Sequence, residues 1–67
     1  MYYINIKNEN TDIHKRLIDY FSDKAFSYTY DQNKKIFELI ITKITLNEIN
    51  EIEDIFQQYD ISIDFYE

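Results

Sequence analysis

The chain has no cysteine, glycine, proline or tryptophan, and one histidine, in 67 residues. Without cysteine there is no disulfide to staple a small fold and no thiolate metal site. Without glycine there is no phosphate-binding loop, dinucleotide fingerprint or nucleophile elbow, because each places glycine where a Cβ would not fit. Flexible Gly-rich and stiff Pro-rich linkers are excluded as well. Any left-handed backbone position must fall to Asn or Asp, with Asn33 the first candidate. The longest aliphatic run is Leu39-Ile40-Ile41, far short of the about 20 residues a membrane span needs. The opening MYYINIKNEN carries neither a basic n-region nor an apolar h-region of a targeting signal. These absences lead us to expect one intracellular domain over residues 1–67, in the cytoplasm, with no membrane contact. The last absence is local: no Lys or Arg follows Lys43.

What is present suits a core built from side chains alone. A domain of this size buries only about 60% of its unfolded surface, so each large apolar group matters. Aromatics make up 18% of the chain, and each supplies a large buried area. Isoleucine dominates the aliphatic residues, and its β-branching favours strands.

The periodicity gives an order of elements. YYINIK at 2–7 alternates, with Tyr2, Ile4 and Ile6 opposite Tyr3, Asn5 and Lys7, which predicts a half-buried strand. Residues 11–23 carry Ile13, Leu17, Tyr20 and Phe21 at helical spacing, capped by Thr11 or Asn10. AFSYTYD at 25–31 alternates again, and Asp31-Gln32-Asn33-Lys34 reads as a hairpin turn. Residues 35–42 form the most apolar strand, with Phe37, Leu39 and Ile41 opposite Ile36, Glu38 and Ile40. Thr45-Leu46-Asn47-Glu48 matches a capping box, with Ile44 and Ile49 placed as its hydrophobic staple. The helix that follows should bury Ile49, Ile52, Phe56 and Tyr59. ISIDFY at 61–66 is a last alternating strand.

This β-α-β-β-α-β order resembles the ferredoxin-like α+β arrangement, a four-stranded antiparallel sheet with two helices on one face. The resemblance implies that the first and third strands are central and the other two are edges. It does not imply a function, because the architecture serves many.

The usual chemistries of the fold are poorly supplied. His14 lies beside Lys15 and Arg16 and reads as a solvent-exposed helix residue. No second His or Cys is available to join it in a metal site. Ser22, Ser27 and Ser62 lack a base, and Glu53-Asp54 are adjacent helix positions that point apart. The expected chain is therefore no enzyme, with no catalytic residues, no metal and no cofactor. An RNA-recognition motif needs aromatics on the open faces of its central strands and basic surroundings. Tyr3 and Asn5, with Glu38 and Ile40, stand there instead. MYYINIKNEN is also similar to the first strand of the small CRISPR adaptation nucleases, which carry an Asp near its end. Lys7 and Asn8 occupy that place here. Direct nucleic-acid binding through Lys7, Lys34 and Lys35 would work against the overall charge of −6.

The charge is unevenly spread. Residues 1–43 hold seven basic and six acidic side chains, whereas residues 44–67 hold seven acidic and no basic ones. An ordinary solvated helix mixes signs and gains i,i+4 pairs; this one forgoes them. Solubility alone is one explanation, and the helix dipole favours an acid at Glu48. A concentrated negative field also speeds encounter with a basic surface. Glu48, Glu51, Glu53, Asp54 and Asp64 are therefore the candidate partner-binding residues, for a basic, nucleic-acid-binding protein. The small, acidic, Ile-, Asn-, Lys- and Tyr-rich composition resembles that of proteins by which phages and mobile elements counter host defence, anti-CRISPR proteins among them. That resemblance implies stoichiometric inhibition, an acidic face blocking the nucleic-acid channel of a Cas protein. The alternative expectation is a small oligomerising or scaffold module. It would pair through a sheet edge or through an open-face patch of Tyr3, Ile36, Ile40 and Tyr66, giving a homodimer.

Overall fold

The computed structural model describes residues 1–67. The alternating segment at the N-terminus forms β1 (Tyr2–Lys7), with Ile4 and Ile6 fully buried. α1 (Thr11–Tyr20) follows, then β2 (Ala25–Asp31), β3 (Ile36–Ile41), α2 (Leu46–Gln57) and β4 (Ile63–Tyr66). The strands pair antiparallel in the order β2-β3-β1-β4. The fold is thus ferredoxin-like α+β, with β1 and β3 central. No helix is long and apolar enough to cross a membrane.

One face of the sheet carries Ile4, Ile6, Phe37, Leu39 and Ile41, which close against Leu17 on α1, Phe21 just after it, and Ile52 and Phe56 on α2. The other face is open. The register places Tyr3, Asn5 and Lys7 there beside Ile40, Glu38 and Ile36, with Tyr66 and Asp64 next to Tyr3 and Asn5.

Asn10 caps α1, its side chain accepting from the Asp12 N–H at 2.9 Å. The helix stops at Tyr20 rather than Asp23. Asp19 and Asp23 place negative charge at the negative end of its dipole, and no basic residue offsets them. Instead the chain turns at Phe21, which is fully buried and whose carbonyl accepts from Lys24 and Ala25.

The helical phase of α1 differs from the reading that left His14 in solvent. His14, Leu17 and Phe21 stand at i, i+3 and i+7 and share the core face. His14 is only 6% exposed. Its ring stacks on Phe37 at 4.5 Å and meets Tyr30 at 4.8 Å. Its Nε2–H donates to the Asn8 carbonyl at 2.5 Å. A planar ring with one satisfied N–H serves here as an aromatic core residue.

Left-handed backbone falls at Lys35 and Asp60, both at φ 58°, and not at Asn33. Asp31 explains the first. Its Oδ1 accepts from the N–H groups of Asn33 and Lys34. This Asx-type turn leaves the final loop residue to reverse the chain into β3. Asp60 takes the left-handed place that glycine commonly holds just past a helix end. The Ile61 N–H reaches the Phe56 carbonyl and the Asp60 N–H reaches that of Gln57, the paired bonds of a Schellman motif. Because Ile61 closes that motif, β4 begins at Ile63. For the same reason Tyr59 lies past the end of α2, 43% exposed rather than in the buried stripe. Arg16 covers it, its guanidinium 5.3 Å from the ring centroid and bonded to the hydroxyl.

Candidate functional site: an acidic rim from α2 to β4

The seven acidic residues after Lys43 fall into three groups. Glu48 belongs to the fold. Its Oε1 accepts from the Thr45 N–H at 2.9 Å and the Thr45 hydroxyl at 3.1 Å, while the Glu48 N–H donates back to Thr45 Oγ1 at 3.2 Å. Its other oxygen accepts from Lys24 Nζ at 2.5 Å, with both side chains largely covered. The Lys24 hydrogen bond, followed by the Thr45 N–H, holds the Glu48 carboxyl below the usual range. A group shifted this way stabilises the fold fully above its unfolded value of about 4.3, and the contribution disappears as pH falls through the lower folded value. Glu48→Ala should therefore cost about 1–2 kcal/mol at pH 7, from the lost cap and ion pair together. In urea titrations its deficit against the parent should shrink by pH 3. A deficit equal at both pH values would mean that the charge of Glu48 contributes nothing.

Glu51 lies on the flank of α2 that faces α1. Burial first, and then the charge of Glu51, push the Tyr20 phenol upward.

The third group runs along the opposite flank. Glu53 on α2, Asp60 in the turn and Asp64 on β4 line one open groove of about 470 Å³, with Gln57 and Ser62 between them. Asp54 follows Glu53 in sequence but projects from the exposed crest of α2, nearer Glu51 three residues back, and Glu67 follows β4. Glu51, Glu53, Asp54, Asp60, Asp64 and Glu67 are all exposed. None forms an ion pair; the chain's two pairs are Lys24–Glu48 and the exposed Lys35–Glu9 at 3.2 Å. The carboxylates spread along the rim and do not converge as metal ligands would.

Of the candidate residues, the structure therefore brings Glu53 and Asp64 together at one groove and leaves Asp54 on the exposed crest of α2. It puts Glu51 on the far flank and ties Glu48 into the helix cap. Asp60, which is not among the candidate partner-binding residues, joins the rim. Its signal was available: in a chain without glycine, an Asp directly after an amphipathic helix is a natural C-terminal cap.

The open-face patch is only partly assembled. Ile40, Tyr3 and Tyr66 form one cross-strand row, while Ile36 lies opposite Lys7 at the other end of the sheet. Tyr66 stacks on Tyr3, centroids 5.3 Å apart and 16° between planes. Its hydroxyl accepts from Asn5 Nδ2 at 3.1 Å and donates to Glu38. The hydrogen bond to Glu38 leads the causes that raise the Tyr66 phenol. Glu38 thus divides the apolar residues of the open face, and the two tyrosines stack on each other.

No protein family, curated protein or solved structure matches the chain.

Proposed function

We propose that the chain is a non-enzymatic binding protein whose acidic rim occludes the basic, nucleic-acid-binding surface of a protein partner. One observation carries this reading: six exposed carboxylates after Lys43 have no ion-pair partner, and three of them line a single groove beside β4. Unpaired like charges on a small rigid surface repel one another and give up the weak pairs a mixed surface would gain. A basic groove reverses that balance, because contact releases the self-repulsion and steers the encounter. The helix crest and the strand edge hold the carboxylates on regular backbone, so little ordering is needed on binding. This is the mode of action implied by the likeness to phage-encoded antagonists of host defence, with a Cas effector as one partner of suitable chemistry.

The test is retention from a nuclease-treated host lysate on the immobilised full chain, at about 0.1 M salt, where surface electrostatics still act over roughly 10 Å. The expected result is a protein with a nucleic-acid-binding groove that elutes as salt rises. Retention only of proteins without such a groove, or elution insensitive to salt, overturns the reading.

A further inference from the structure

The edge opposite the acidic rim has a different character. β2 has no partner on its outer side. It contains no Lys, Arg or Pro, the residues with which sheet edges commonly discourage pairing. A bulge between Ala25 and Ser27 interrupts it once, and Ser27–Asp31 then runs in regular register with β3. Phe26 is 65% exposed and Tyr28 59% exposed. α1 packs over β3 and leaves β2 largely uncovered. Between α1 and β2 lies a groove of about 340 Å³ walled by Ile18, Tyr28, Tyr30 and Phe37, with His14 at its base.

We infer that β2 is a homodimerisation strand: two copies of this chain join β2 to β2, antiparallel about a two-fold axis, into one eight-stranded sheet. Charge selects a second copy and selects this edge. A molecule of charge −6 meets its own carboxylates at β4, where Glu53, Asp60 and Asp64 stand. At β2 the one charged residue is Asp31, whose carboxylate is already engaged by two turn N–H groups. Antiparallel pairing brings the end bearing Asp19 and Asp23 on one copy towards the end bearing Lys34, and Lys35 with its Glu9 partner, on the other. It also sets the two β4 edges seven strand spacings apart, about 34 Å, several times the roughly 8 Å screening length at physiological salt. The two acidic rims then face outward at opposite ends. Phe26 and Tyr28 each offer on the order of 100 Å² of exposed ring to the contact. This places the dimer in the small, reversible class of interfaces.

Sedimentation equilibrium and disulfide trapping of the full chain test this. Since the natural chain has no cysteine, a single introduced thiol reports only its own contact. At about 100 µM, a concentration suited to weak interfaces, the chain should sediment as a monomer–dimer mixture. Phe26→Lys with Tyr28→Lys should raise the dissociation constant at least about tenfold with an unchanged circular dichroism spectrum. Under mild oxidation Ser27→Cys or Thr29→Cys should give a covalent dimer, and Ser62→Cys at the β4 edge should not. A strict monomer at that concentration overturns the inference. So does a dimer indifferent to the double substitution, or crosslinking through Ser62→Cys with none through Ser27→Cys or Thr29→Cys. The proposal stands or falls apart from the acidic-rim reading, because the chain alone is measured.

Discussion

Phe37→Ala should cost about 3–5 kcal/mol and leave much of the chain unfolded at 25 °C. The total stability expected for a chain this short is only about 3–10 kcal/mol. Phe37, the second residue of β3, is 1% exposed. It carries the stacked His14 ring on one side and meets Tyr28 at 5.8 Å. Truncation removes the largest apolar group of the central strand, leaves a cavity beneath α1 and takes away the surface that holds a polar imidazole in the core. No disulfide or metal cushions the loss, so the transition should move as a whole. Urea denaturation followed by far-ultraviolet circular dichroism measures it, with Phe26→Ala as the control. Phe26 is 65% exposed, and its loss should shift the midpoint little. Similar small shifts for both variants would mean that the core is not organised around β3.

The second large effect concerns binding. Reversing Glu53, Asp54 and Asp64 together to lysine changes the net charge from −6 to neutral. All three side chains are exposed, and none is ion-paired. The fold should therefore survive, relieved of some self-repulsion. Affinity for a basic partner should fall at least about 100-fold, with most of its salt dependence lost. Glu51→Lys, on the other flank of α2, should cost far less. Glu48→Ala should weaken the fold and leave the affinity of the folded fraction nearly unchanged. Titration calorimetry of each variant against the captured partner, at two salt concentrations, separates these outcomes. Equal affinity for the triple variant and the parent would remove the rim from the interface.

These contrasts follow from which features were local in the chain. Strand alternation made all four strands legible, and the element order, through its ferredoxin-like resemblance, implied the sheet topology, in which β1 and β3 alone carry fully buried strand residues. The α2 cap was readable from four consecutive residues, because Thr45 and Glu48 satisfy each other within one turn. His14 was hidden by its residue type: a lone imidazole between a core face and two cations gives no hydrophobic signal, although its spacing to Leu17 and Phe21 was correct for burial. The Lys24–Glu48 pair spans 24 residues and the Tyr66–Glu38 bond spans 28. Both depend on tertiary placement that no local pattern encodes. The same limit applied to the acidic residues. The absence of Lys and Arg after Lys43 was plain in the sequence, but their division between a helix cap, an α1-facing flank and a β4 rim arises only when α2 packs against the sheet.

The most direct test of the acidic-rim account is a displacement titration. The captured partner is loaded with a fluorescent oligonucleotide, and the parent chain is added at about 0.15 M salt, where charges within roughly 8 Å still interact. The account predicts release of the oligonucleotide, complete at one acidic rim per basic groove, and no release by the triple lysine variant. A stable ternary complex, with the oligonucleotide still bound while the chain is bound, would contradict it.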